Sequence, residues 1–364
     1  MHKHTRDLLL TPLRSFPMFP LERWRPFLIL GLILFWISAA LSVQLSSPKV
    51  YAASSPGFPD QTRVGIHNTY DKAKFTYFVD SLTSGAGLIE IDVWQNFLFS
   101  RHYWVSHNPV SPLGNSNNCE SATSYSQLRS QNRNQDFQSC LDDIRLWSQQ
   151  FPNHVPLIVK LELKNGFDTV NGYGPAQLDA LIAQHIGRSN LFTPSDLMGS
   201  EYPDLDSAAR ANAWPTAAQL TGKVMFVIQA GTVELATKLY HSDQEYIDYM
   251  IKLKGQGNIS QSMVFPTYLG AAAYDPRPAA RKPWYIVFGG DATAYSGLDT
   301  SAYYANHYLV IMTDAQSVSP AISDTTPSVT DEQNRVNQLA AHAATIVSSD
   351  WTAANLVGYT TNRS

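Results

Sequence analysis

An α/β fold built as a parallel (β/α) barrel of TIM type is the fold class that this 364-residue sequence predicts. Three observations predict it. Short β-prone segments alternate with helix-like segments through most of the chain, which favours a parallel sheet covered by helices. About 310 residues follow the N-terminal apolar region, a length that suits one such barrel. Several β-prone segments also carry charged or amide side chains at alternate positions inside apolar runs. In a closed barrel those positions point inward and converge at one mouth. A doubly wound sheet is the alternative, but no G-x-G-x-x-G follows the first strand-like segment.

Residues 1–52 stand apart from the fold. Arg6, Arg14, Arg23 and Arg25 precede an apolar run over 27–43, and Val50-Tyr51-Ala52 supplies an A-x-A-like site. We read 1–52 as a cleaved signal peptide, with an uncleaved anchor through 27–43 as the alternative. Either way the basic flank stays cytoplasmic, and residues 53–364 form a single exported catalytic domain, secreted or tethered to the outer face of the membrane. The whole chain has 26 Lys/Arg and 30 Asp/Glu; six and two of these lie in 1–52, so the remainder carries 20 against 28. No basic run accompanies that acidic balance, so nucleic acid is not an expected partner.

β-prone segments are expected at 87–94, 104–107, 157–163, 223–229, 284–288 and 308–313. Helices are expected at 139–151, 175–186, 233–238, 244–254 and 331–347. The first helix places Leu141, Ile144, Trp147 and Phe151 on one face, with Asp142, Asp143, Arg145 and Gln149 off it. Cys119 and Cys140 are the only cysteines. Twenty-one residues apart in an exported protein, they read as one disulfide, worth about 3 kcal/mol for a loop of that length. The stretches 274–283 and 317–330, rich in Pro or in Ser/Thr, read as surface loops.

The chemistry lies in four segments: G-I-H-N-T-Y (65–70), L-I-E-I-D-V-W (88–94), V-S-H-N-P (105–109) and L-I-V-K-L-E-L-K (157–164). Strand alternation puts Glu90 and Asp92 on one face, and Lys160, Glu162 and Lys164 on one face of their own strand. Taken alone, Glu90 and Asp92 describe a solvated face or a pair of salt bridges equally well. With Asn68 and Glu162 the set becomes three carboxylates and an amide oxygen, without thiolate. That composition suits Ca²⁺, and after it Mg²⁺. His67 and His107 each close a β-prone segment beside this cluster, and acid–base work is the role that fits them. His102 reads as a surface or packing residue.

These elements resemble the calcium-dependent phosphoinositide-specific phospholipase C family of bacterial type. The matching motifs are H-N-T-Y at 67–70, E-I-D-V at 90–93, S-H at 106–107, Cys119, and C-L-D-D-I-R-L-W-S at 140–148. They continue with P-L-I-V-K-L-E-L-K at 156–164, W-P-T-A-A-Q-L-T-G-K-V-M-F-V at 214–227, and A-A-T-I-V-S-S-D at 343–350 as a closing strand. The resemblance implies a phosphodiesterase barrel, regular or irregular, with Asn68, Glu90, Asp92 and Glu162 as Ca²⁺ ligands and His67 and His107 as the acid–base pair. It also implies attack by an inositol 2-hydroxyl on phosphorus, releasing diacylglycerol from a phospholipid or phosphodiester substrate at a membrane surface. Lys160 and Lys164 would hold phosphate or balance the carboxylates. Where the family tends to carry an arginine late in the barrel, this chain reads L-V-I-M-T-D-A (309–315). A glycerophosphodiester phosphodiesterase is the competing enzyme, though its usual H-R-G is here H-N-T. A lipid- or glycan-binding module on a retired barrel is the non-enzymatic alternative.

Overall fold

The computed structural model describes residues 57–97, 100–109, 115–273 and 275–364. The apolar run at 27–43 and the cleavage-like site lie outside them. Among the described residues no helix is long and apolar enough to cross a membrane.

Eight parallel strands close a barrel in the order β1 (Gln61–Ile66), β2 (Leu88–Phe97), β4 (Leu157–Leu163), β5 (Val224–Ala230), β6 (Val264–Leu269), β7 (Val287–Asp291), β8 (Leu309–Thr313) and β9 (Ile346–Ser349), with β9 returning to β1. Two antiparallel strands extend the sheet: β3 (Ser100–Val105) on β2, and β10 (Thr360–Asn362) on β1. Helices cover the outside, including α1 (Phe78–Leu82), α2 (Phe137–Gln150), α3 (Pro175–Ile186), α4 (Pro194–Met198), α5 (Leu205–Arg210), α6 (Thr232–Thr237) and α7 (Ser242–Gly255). They are followed by α8 (Ala292–Ser296), α9 (Ser301–Ala305), α10 (Val329–Ala340) and α11 (Ala354–Val357).

The seam between β1 and β2 is one of the two shortest, with that between β8 and β9, pairing only Gly65 with Leu88 and Ile66 with Ile89. A Cβ at Gly65 would lie 2.8 Å from Ile346 Cγ2 and 3.1 Å from Leu88 Cβ, so the barrel closes there because residue 65 has no side chain. Register carries the inward face around the barrel: Glu90 pairs with Lys160, Asp92 with Glu162, and Glu162 with Gln229. The alternate residues Ile89, Ile91, Val159, Leu161 and Ile228 are fully buried under the helices. That is the two-sided burial expected of parallel strands.

Some expected elements differ. The predicted helix over 331–347 ends at Ala340; Ala343 then adopts φ 64°, and Ile346–Ser349 become the strand that pairs with both β1 and β8. Helix propensity in the alanine-rich stretch yields to the need to close the barrel. Strand β7 begins at Val287 rather than 284, because Lys282–Trp284 form a 3₁₀ turn around Pro283. Strand β6 was not expected, since Pro266 lies within it and proline is rare inside sheets. Along α2, Leu141, Ile144 and Trp147 are buried as predicted, but Phe151 is 41% exposed and Asp143 is wholly buried. The predicted disulfide joins Cys119 to Cys140, tying α2 to the polar segment before it.

Candidate active site and metal centre

The carboxyl ends of β1, β2 and β4 bring the predicted polar residues together at one mouth. Glu90, Asp92 and Glu162 are buried, and each offers a carboxylate oxygen within 4.8 Å of the others. Oxygens on opposite sides of a cation with 2.3–2.6 Å bonds lie about 5 Å apart, so this set can converge on one ion without moving a strand. Glu90 Oε2 and Asp92 Oδ1 are buried without a hydrogen-bond donor. Buried orphan carboxylate oxygens are costly, and a cation satisfies them. The donor chemistry and the orphaned atoms therefore both fit Ca²⁺.

Local structure aims each group. Asn68 sits just beyond β1 at φ 52°, a left-handed turn that asparagine tolerates, and its Oδ1 accepts from the Tyr70 hydroxyl at 3.0 Å. Thr69 fastens this turn to β2, its N–H and Oγ1 both donating to the Glu90 carbonyl. Burial, reinforced by the charge of Asp92, pushes the Tyr70 phenol far up and keeps it a donor. On the other side, Trp94 Nε1 donates to the Ser106 carbonyl at 2.7 Å, holding the residues after β3 over the site.

The histidines flank the cluster. His67 Nε2 lies 3.7 Å from Glu90 Oε2, and His107 Nδ1 lies 3.3 Å from Asp92 Oδ2. His107 is the more open, with a side chain 59% exposed against 40% for His67. Lys160 meets Glu90 Oε1 at 2.8 Å, and Lys164 bridges Asp92 Oδ2 at 3.1 Å and Glu162 Oε1 at 2.9 Å. Both lysines thus balance carboxylates, one of the two roles the sequence allowed. Glu162 Oε1 also accepts the Thr232 N–H at the start of α6.

The charges are set by these neighbours. Burial drives the Asp92 carboxyl up to about 6, with the charges of Glu90 and Glu162 adding to it and Lys164 opposing. Burial works the same way on Glu90, but the charges of Lys160 and His67 outweigh it and hold this carboxyl low. For His67, burial disfavours the charged ring, yet a carboxylate on Nδ1 and the charge of Glu90 carry its pKa upward.

That Nδ1 partner was missed at the sequence level. Asp350, the residue after β9, accepts from His67 Nδ1 at 2.9 Å, and Lys74 meets the same oxygen at 2.5 Å while donating to the His67 carbonyl at 2.8 Å. S-S-D at 348–350 was visible as a strand end, but nothing local tied it to His67. His102 behaves as expected, stacked on Trp104 at 4.2 Å and paired with Asp136.

A closed parallel barrel that sets two histidines about a nest of carboxylates and lysines at one mouth has the groups that acid–base chemistry needs. A family model described as "Phosphoinositide phospholipase C, Ca2+-dependent" matches residues 126–257. The solved structure of a Ca²⁺-dependent phosphatidylinositol-specific phospholipase C from Streptomyces antibioticus is 42% identical, with a TM-score of 0.81 over 85% of this chain and 99% of that one. A calcium-dependent phosphoinositol-specific phospholipase C from the Gram-negative bacterium Pseudomonas sp. shares the fold at 21% identity and TM-score 0.61, over 85% and 96% of the two chains. No curated protein sequence matches. The chain belongs to the Ca²⁺-dependent phosphoinositide phospholipase C family and is a phosphodiesterase of that family.

Proposed function

We propose that the protein is an exported enzyme that cleaves phosphatidylinositol-type lipids into diacylglycerol and an inositol phosphate, cyclic where the 2-hydroxyl is the nucleophile. Asn68, Glu90, Asp92 and Glu162 would hold Ca²⁺. When bound there, the ion acidifies the attacking hydroxyl and offsets charge developing on the phosphoryl oxygens. His67 serves as the base or stabilises the pentavalent phosphorus. Its Nδ1 is occupied by Asp350, which leaves Nε2 free to take the hydroxyl proton. His107 is the general acid and delivers a proton to the glycerol oxygen, which must leave protonated. Glu90 or Glu162 is the alternative base. Lys160 and Lys164 lie within the cluster, where their ammonium groups attract a phosphodiester.

The observation that carries this reading is the placement of His67 against Glu90 and His107 against Asp92, two members of one carboxylate set. Export rests on the basic flank, the apolar run at 27–43 and the A-x-A-like site, and it agrees with the use of a disulfide. The test is product release from phosphatidylinositol vesicles and from glycerophosphodiesters, with and without EDTA. Release of diacylglycerol that EDTA abolishes is expected, with glycerophosphodiesters poor substrates. Full activity of His107→Ala, or indifference to EDTA, would sink the mechanism.

A further inference from the structure

The barrel has a second mouth. A cavity of about 320 Å³ opens at the amino ends of the strands, away from the carboxylate cluster. Val155 and Pro156 form an apolar wall, Asn153, Thr221 and Thr360 offer polar groups, and Arg63 is the one charged side chain that lines it.

Arg63 is 7% exposed. Its guanidinium donates to Gln61 Oε1 at 3.1 Å and to the Pro156 carbonyl at 3.3 Å, and lies 4.9 Å over the Phe58 ring. None of the described carboxylates comes within 4.0 Å of it, and burial lowers its pKa to about 10. Arg277, by contrast, is buried against Asp206 and Asp275. Only Asp7 and Glu22 among the acidic residues lie outside the described residues, and 23–56 contain none, so that stretch brings no carboxylate to Arg63. A guanidinium has five donors in a planar fork, and neutral acceptors meet two of them here. The chain also keeps room for this side chain. A Cβ at Gly87 would lie 2.7 Å from Arg63 Cβ and 2.9 Å from its Cδ, so a larger residue there would displace the stem.

We propose that this amino-terminal mouth is an anion site for a phosphate monoester of a small polar molecule, with Arg63 as its anchor. The fork pairs with phosphate oxygens, the surrounding amide and hydroxyls hydrogen-bond the remainder, and the cavity exceeds the volume of phosphate alone. Arg63 lies in β1 and His67 just beyond its end, four residues on and about 13 Å away, so the site is separate from the catalytic mouth.

The experiment is equilibrium binding of radiolabelled inorganic phosphate, and of glycerol 3-phosphate, to the full chain at saturating Ca²⁺, which gives the catalytic mouth its net positive charge. Two classes of site are expected. Arg63→Met should weaken one class at least tenfold and leave phosphodiesterase activity unchanged, whereas Lys160→Met with Lys164→Met should weaken only the other. Tighter binding of glycerol 3-phosphate than of phosphate at the Arg63 class would mark the site as one for esters. Asn153→Asp, an exposed change that adds a negative charge at the rim, should give the same selective loss and serves if Arg63→Met does not fold. A single class of site, or binding indifferent to both Arg63→Met and Asn153→Asp, overturns the proposal.

Discussion

Replacing Asp350 by asparagine tests the acid–base assignment at a residue that would touch neither metal nor phosphate. The carboxylate lies 2.9 Å from His67 Nδ1, so it stabilises the imidazolium formed as Nε2 takes up a proton. A hydrogen bond to a charged group is worth about 1.5–3 kcal/mol, and asparagine keeps the shape but not the charge. At 1.36 kcal/mol per decade, kcat/KM should fall about 10- to 150-fold. The fall would be larger if the amide donates to Nδ1 and fixes the tautomer whose Nε2 cannot accept. The pH profile moves in a defined direction. Burial depresses the His67 pKa while Asp350 and Glu90 raise it above the ordinary histidine value, so removing the Asp350 charge lowers it. A base must be deprotonated to act, so the acidic limb of kcat/KM should shift to lower pH as the plateau drops. The assay is initial-rate release of inositol phosphate from vesicles at saturating Ca²⁺ over pH 5–9, repeated in a His67→Ala background, where Asp350→Asn should add nothing. A plateau within threefold of wild type, or a limb moving to higher pH, refutes the role given to His67.

Three further outcomes follow from the packing. Ca²⁺ should stabilise the wild-type chain by about 2.7 kcal/mol at a hundredfold excess over Kd and so raise its melting temperature, and Glu162→Gln should abolish that rise while the Ca²⁺-free melt stays cooperative. Asp143 accepts the Glu120 N–H, but burial pushes its carboxyl up to about 8. A raised folded pKa means that its favourable contribution is complete below the unfolded value near 3.9 and is lost as pH rises toward 8. Asp143→Asn should therefore gain stability relative to wild type between pH 5 and pH 8, and urea midpoints showing no such gain would contradict it. Replacing Cys119 and Cys140 together by alanine should cost about 3 kcal/mol by chemical denaturation, the entropy of a 21-residue crosslink.

What the sequence made legible was what strand geometry alone decides. A period of two sorts Glu90 with Asp92 and Lys160 with Glu162 and Lys164, and the register of β2 on β4 sets those two rows side by side. What it hid was long-range. Asp350 reaches His67 from 283 residues away, and only closure of β9 against β1 brings them together. Pro266 masked β6, and the alanine run before β9 read as helix because local propensity says nothing about which strand must close the barrel.

The two roles left open for Lys160 and Lys164 are one role at different stages of loading. Three carboxylates and two ammonium groups leave the cluster at −1. It is a nearly balanced ionic network, and burial tolerates it because Lys160 and Lys164 are hydrogen-bonded into it. On the proposed ligand set, a dication held by Asn68 and the three carboxylates would turn that balance to +1 without adding a basic residue, and a phosphodiester monoanion would then restore neutrality. On this account the late arginine that the sequence lacks is not needed to attract the phosphate being cleaved. Its absence bears on further phosphates of the headgroup, where the strand over 309–313 offers no cation.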